Sequence, residues 1–172
     1  MKHPMHTARG LIDLDAFNID HWVVAHSLAM QCRFNGHTPW FYSVAVHSVN
    51  VCRYLEMTGA STRVQLLGLI HDVGEAFVGD VTLPTQKLLG SRWTAEFKEK
   101  EEGFYRAVLR SLKLPEPTEQ EAAEVHEADV YVGSIERVVF FGDGDPPPWM
   151  ISRMERPHDG RDLFLSYLRR KS

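Results

Sequence analysis

Two histidines, His47 and His71, and two aspartates, Asp72 and Asp129, fall at or beside places where the surrounding apolar periodicity calls for aliphatic side chains. His47 shares a stripe with Val44, Val51 and Leu55. His71 ends one made by Val64, Leu67 and Gly68, and Asp129 stands among Val125, Val132 and Ile135. Taken singly, each has an ordinary explanation: a lone histidine on an apolar face is more often a hydrogen-bonded core residue than a ligand. Asp129 alone could pair with an arginine such as Arg53. Together they ask for one cause. An ionised carboxylate in apolar surroundings costs on the order of several kcal/mol unless it is paired, hydrogen-bonded or metal-bound. One divalent cation would satisfy all four groups. Two imidazoles and two carboxylates suit manganese, iron, cobalt, nickel or zinc without choosing among them, and magnesium is less favoured because of the histidines. An octahedral ion would keep two positions for water and a phosphate oxygen, so metal-assisted phosphoester hydrolysis is the expected chemistry.

Other residues group around that set. Glu75 follows His71 by one helical turn, where it would face the cation from outside its ligands and transfer a proton; otherwise it is a surface glutamate. Asp80, after Gly79, is either a second acidic active-site residue or the cap of a short turn. Arg33 can fork onto phosphate oxygens or form a salt bridge with a nearby acid. Lys87 either helps hold a polyphosphate tail or is solvated. Phe34 and Trp40 could stack on a base beside Arg33 or belong to the core. His21, His26, His37 and His126 share neither the spacing nor the setting of His47 and His71 and are read as structural or surface residues. Cys32 and Cys52 are too few for a disulfide framework and read as small buried thiols.

The elements that must carry these residues are helices, because apolar residues recur three and four apart and alternating strand patterns are scarce. The fold is expected to be all-α. Helices are predicted over 20–32, with Asp20 as N-cap and the stripe running to Cys32; over 40–58, ended by Gly59; and from Ser61 or Thr62 to His71. Pro84 prevents an uninterrupted helix after Gly79. A further helix spans 91–112, with Lys98, Glu99, Lys100, Glu101 and Glu102 as a solvated face. Thr118 with Glu121 forms a capping box for a helix to about Phe141, and after the loop Gly142 to Pro148 a last one runs from about Gly160 to Arg170.

The 172 residues fit a single domain, 1–172, with its core over about 20–141. No apolar run approaches the roughly 20 residues that span a bilayer, and Met1 to Gly10 lacks the apolar stretch of a secretory signal, so a cytoplasmic protein without a membrane partner is expected. A net charge of -4 with scattered lysines and arginines argues against a nucleic-acid polymer as ligand and leaves a small phosphorylated one.

The motifs Arg33-Phe34-Asn35-Gly36-His37-Thr38, Tyr42 to Ser48 around His47, His71-Asp72-Val73-Gly74-Glu75 to Asp80, and Leu83-Pro84-Thr85 closely resemble the small HD-domain phosphohydrolases. These include the bacterial 5'-deoxynucleotidases and the bacteriophage dATP triphosphohydrolases. The resemblance covers about residues 20–141 and implies His47, His71, Asp72 and Asp129 as metal ligands. It also implies Glu75 and Asp80 as acidic active-site residues and Arg33 as the residue that steadies the phosphate. It further implies a small-molecule deoxynucleotide substrate, most nearly dATP, with a 5'-deoxynucleotidase acting on monophosphates as the alternative. A viral chain of this type would work in the host cytoplasm. A nucleotide-binding regulator that keeps the fold without turnover is a reading of another class, which Glu75 argues against. Such proteins commonly assemble as homo-oligomers, and Trp93, Trp149 and Phe164 are either interface or core.

Overall fold

Asp20 starts the first long element. Its carboxylate accepts the backbone N–H groups of Trp22 at 2.8 Å and Val23 at 3.4 Å, capping α1, His21–Met30. The computed structural model describes residues 3–16, 19–154 and 156–172, and it is mostly helical. A two-stranded antiparallel hairpin, β1 (Pro4–Thr7) and β2 (Gly10–Asp13), precedes α1 and was not foreseen from the sequence.

The chain leaves α1 at Gln31 in an extended conformation, so Cys32 does not end the helical stripe and is exposed, against the expectation of a buried thiol. Cys52 is fully buried. A loop then closes on itself: Cys32 bridges to Ser43, and the Arg33 N–H donates to Tyr42 O at 2.9 Å. That pairing holds the chain extended up to Ser43, which is why α2 runs Val44–Met57 rather than from Trp40. Ser43 Oγ caps it by accepting from Val46 N. Every residue from Val44 to Cys52 is buried, because α1 and three later helices surround α2. Gly59, at φ +81°, ends the helix, and Ala60 N–H donates back to Leu55 O at 3.0 Å.

Helix α3, Thr62–Ile70, packs tightly on α2 and stops at His71. Short turns carry the chain into α4, Glu75–Val78, and α5, Leu83–Leu89, where Pro84 sits in the opening turn. Helix α6 spans Ser91–Ser111 and α7 spans Glu119–Phe141, opened by the reciprocal Thr118–Glu121 capping box. Helix α8, Pro157–Lys171, begins three residues before the expected Gly160 and packs on α1, α2 and α3. Phe164 is 1% exposed and belongs to the core, so it is no interface residue in the monomer's surface. Among the described residues no helix is long and apolar enough to cross a membrane.

Candidate metal centre

Four elements deliver side chains to one point. Helix α2 supplies His47, the end of α3 supplies His71 and Asp72, α7 supplies Asp129, and the loop after α1 supplies Arg33. Ligand atoms of His47, His71 and Asp72 all lie within 4.8 Å of one another. Asp129 closes the other side, with Oδ1 2.9 Å from His47 Nε2 and 3.6 Å from His71 Nε2. Arg53, the alternative partner for Asp129, instead donates to Trp149 O.

The ring orientations are set from behind. His47 Nδ1 lies 2.6 Å from Glu136 Oε1, and His71 Nδ1 lies 2.8 Å from Gly68 O. A carbonyl and a carboxylate only accept, so each Nδ1 carries a proton and each Nε2 points into the cluster. There it meets acceptors: His71 Nε2 is 3.0 Å from Asp72 Oδ2, yet buried without hydrogen-bond geometry to any partner. Two neutral imidazoles facing two carboxylates is an arrangement that needs positive charge between them. Protons are one source. Burial opposes a charged His71, but Asp72 and Asp129 outweigh it and raise its pKa well above the usual value. Burial and Arg33 likewise oppose a charged His47, and Glu136 with Asp129 prevail. Burial would raise Asp72, yet His71, His47 and Arg33 hold it down at about 2. Asp129 is likewise lowered: burial works the other way and the two imidazoles win. A divalent cation is the other source, and the orphaned Nε2, the paired carboxylates and the locked rings fit one.

Glu136 had no place in the sequence reading. It is 0% exposed, and it accepts from His47 Nδ1, from Tyr42 Oη at 2.7 Å and from Arg33 Nε at 3.2 Å. Burial raises its pKa, but His47 and Arg33 dominate and it stays ionised. Its signal in the sequence is a spacing of seven from Asp129, two turns along the same face of α7. Gln31 was missed too: its amide donates to Glu75 O at 3.0 Å and accepts from Asp80 N at 3.0 Å, holding both acids relative to α1.

Glu75 Oε2 is buried without a hydrogen-bond partner. Burial, then Asp72 and Asp80, pushes its carboxyl up to about 10. Asp80 is also raised, by burial and by Asp72 against the pull of Arg33; it does not cap α5, whose N-cap is Thr82. Arg33 Nη1 reaches to 3.7 Å from Asp72 Oδ2. The guanidinium is aimed there by a turn in which Phe34 (φ 54°), Asn35 (φ 52°) and Gly36 (φ 75°) are all left-handed, a costly conformation for phenylalanine.

One cavity opens on this cluster, and a second is lined by Arg33 beside it. A groove of about 720 Å³ is lined by Arg33, Phe34, Asp80, Arg137 and Phe141, among others. A cleft of about 790 Å³ opens over His71, Asp72 and Asp129 between α6 and α7. Lys98, Glu99, Glu101 and Glu102 line that cleft, so much of the α6 charge run is a cavity wall rather than only a solvated face. Lys98 Nζ pairs with Glu101 at 2.7 Å. His126, read as a surface residue, is exposed and also lines the cleft, and His37 lines the groove. Lys87 lines neither; it stands over an adjoining depression that shares Ala95 and Lys98 with the cleft. Trp40 packs against Phe140 and donates its indole N–H to Ser152 O, away from both.

Comparison with known proteins agrees with the geometry. "Uncharacterized protein YfdR" of Escherichia coli (strain K12) is 34% identical over 92 residues, which cover 54% of this chain and 46% of that protein. "Uncharacterized protein RCAP_rcc00048" of Rhodobacter capsulatus is 34% identical over 84 residues, covering 46% and 43%. The chain thus spans less than half the length of these curated relatives. A family model described as "HD domain" matches residues 44–134, the span from the start of α2 through most of α7 that holds His47, His71, Asp72 and Asp129. Such domains are typically metal-dependent phosphohydrolases. On the match and on the residues it encloses, the chain belongs to the HD-domain family.

Proposed function

We propose that the chain hydrolyses 2'-deoxynucleoside 5'-phosphates at the α-phosphorus, with dATP as leading substrate and deoxyadenosine and triphosphate as products. The observation that carries this reading is the cleft over His71, Asp72 and Asp129 together with a second groove lined by Arg33, whose Nη1 lies 3.7 Å from Asp72 Oδ2. A nucleotide has an apolar ring at one end and a phosphate chain at the other. The groove offers Phe34 and Phe141 to a base. The cleft offers Lys98 and Arg106 to the far phosphates.

When bound to the His47, His71, Asp72 and Asp129 set, a divalent cation supplies Lewis acidity toward a phosphoryl oxygen and makes water a better nucleophile. The chain's own residues do the rest. Arg33, held by Glu136 through Nε, has Nη1 3.7 Å from Asp72 Oδ2, from where it can exchange that partner for an α-phosphate oxygen once a cation takes Asp72. Glu75 Oε2 has no competing partner and the carboxyl holds its proton at neutral pH, so it would donate that proton to the nucleoside 5'-oxygen as the P–O bond breaks and be reprotonated by the proton released from the attacking water. Asp80, which lines the groove, would accept a sugar hydroxyl. Lys87 lines the adjoining depression and not the cleft, so it would act only on an extended tail.

A second reading, a 5'-deoxynucleotidase for monophosphates, is favoured by the surplus of acid in the cleft. Glu99, Glu101 and Glu102 there oppose a polyphosphate, and Lys98 is already paired. The test is metal-stripped protein incubated with deoxynucleoside triphosphates and monophosphates, adding manganese, cobalt, zinc or magnesium separately, with products identified by chromatography. Deoxyadenosine and triphosphate from dATP, lost in Asp72→Ala, is the expected result. Turnover of several monophosphates and none of dATP would establish the second reading. No product from any nucleotide with any metal would overturn both and leave a binding protein.

A further inference from the structure

A side-chain amide has nearly the same shape either way round, and its partners decide which end is the nitrogen. Asn50 lies one turn after His47 on α2 and is fully buried. Its partners are the backbone groups of Ile151: Oδ1 accepts from Ile151 N at 2.8 Å, and Nδ2 donates to Ile151 O at 2.9 Å. Backbone polarity cannot be exchanged, because an N–H only donates and a carbonyl only accepts. Turned over, the amide would set N–H against N–H and oxygen against oxygen, two unmade bonds in a buried place. Ile151 therefore fixes which way Asn50 faces.

The consequence travels inward. The other N–H of Asn50 Nδ2 donates to Tyr42 Oη at 2.9 Å. With that bond accepted, the hydroxyl sends its own proton to Glu136 Oε1, 2.7 Å away. Tyr42 is itself buried and its ring packs on Phe140, so the hydroxyl cannot swing to solvent. Glu136 thus receives protons from Tyr42 and from Arg33 and offers none, and the 2.6 Å bond to His47 leaves its proton on Nδ1 and Nε2 facing the cluster. We infer that Asn50 is a positioning residue of the metal centre, setting the direction of the hydrogen bonds that run from the Ile151 backbone through Tyr42 and Glu136 to His47. This rests on the metal-binding part of the proposed function and not on its substrate.

The segment that starts the relay is pinned along α2. Arg53 donates to Trp149 O at 2.6 Å and Trp40 to Ser152 O at 2.7 Å, on either side of the Asn50–Ile151 pair. Glu136 and Ile151 both lie past residue 134, where the HD-domain match ends. The orientation of His47, inside the match, therefore depends on chain beyond it.

Proton NMR of the metal-stripped chain, with labelled histidine to identify the His47 Nδ1 proton, reads the relay directly, because a proton in so short a bond resonates far downfield. Tyr42→Phe keeps the ring and its packing, deletes only the hydroxyl, and should move that resonance. Asn50→Ala should move it too. Asn50→Asp, which keeps the acceptor for Ile151 N but turns an acceptor toward Tyr42, serves as a second variant if circular dichroism shows the alanine unfolded. In the Tyr42→Phe background neither change at Asn50 should move the resonance further, since the effect passes only through the hydroxyl. Cobalt affinity by calorimetry should fall about tenfold in Tyr42→Phe and no further in the double variant. A resonance indifferent to Tyr42→Phe or to the Asn50 variants, or one that the Asn50 variants shift as far without the hydroxyl as with it, would overturn the inference. A parent that binds no cobalt would overturn the metal site, while the resonance, read without metal, still decides the relay.

Discussion

A carboxylate out of reach of solvent must have its charge answered by the protein, and Glu136 is answered by His47, Tyr42 and Arg33 at once. It therefore fixes both His47, of the candidate metal set, and Arg33, proposed to hold the phosphate. Glu136→Gln keeps the shape but loses the charge and puts an amide N–H₂ where only acceptors fit. Cobalt affinity, followed by calorimetry, should fall about 10- to 100-fold in a protein that remains folded. Glu75 poses the opposite case, since nothing answers its charge. Its carboxyl is pushed up to about 10, against 4.5 in the unfolded chain. Between those values the native state keeps a proton that the unfolded state has released, so metal-free stability falls as pH rises from the lower toward the higher. Glu75→Gln removes that penalty. The metal-free variant should be more stable than the parent at pH 8 by on the order of 1 kcal/mol or more, and indistinguishable from it near pH 4. Denaturant midpoints at the two pH values check this. The same variant should lose turnover by about 100-fold or more.

Helix α4 holds Glu75 against α6 through a contact that admits no side chain. A Cβ on Gly74 would lie 2.5 Å from Glu101 O, backbone that cannot turn aside. Gly74→Ala should force the elements apart and cost about 1–3 kcal/mol, read as a shift of the denaturant midpoint. If turnover falls with it while cobalt binding holds, α4 positions Glu75 and not the ligands. The spacing of Gly74 after His71-Asp72 was visible in the sequence, but its partner was not, because α4 and α6 meet only in three dimensions. The same distinction runs through the chain. The phases of α2, α3 and α7 brought His47, His71 and Asp129 inward, and periodicity reads phase well. Helix starts at Asp20, Ser61 and Thr118 were legible because caps are local chemistry. Glu136 was not, because a glutamate near an exposed arginine looks like surface until Tyr42 and His47 are folded over it. Nor was the cleft wall of α6, since a charged face looks the same in sequence whether it meets water or a cavity. The left-handed Phe34 had only the Asn35-Gly36 turn beside it as a hint.

Across the whole molecule, the centre concentrates negative charge where water is scarce. Asp72, Glu75, Asp80, Asp129 and Glu136 face Arg33, His47 and His71, gathered from segments as far apart as residues 33 and 136. A ligand that binds the folded protein and not the unfolded one stabilises it by mass action. Here the ligand would also replace the protons that Asp72 and Asp129 hold on the two imidazoles. Saturating the metal-stripped chain at about 100 times the dissociation constant should add about 2.7 kcal/mol. For a domain of this length that raises Tm by roughly 5–10 °C. Scanning calorimetry with and without cobalt or manganese measures it, and chelator should reverse the shift. In Asp72→Ala the shift should vanish. In Arg33→Ala it should persist, because Arg33 competes with the cation for Asp72 rather than holding it. A parent whose Tm ignores every divalent cation would mean that protons alone reconcile these carboxylates, and that the centre is a buried ion-pair network instead of a metal site.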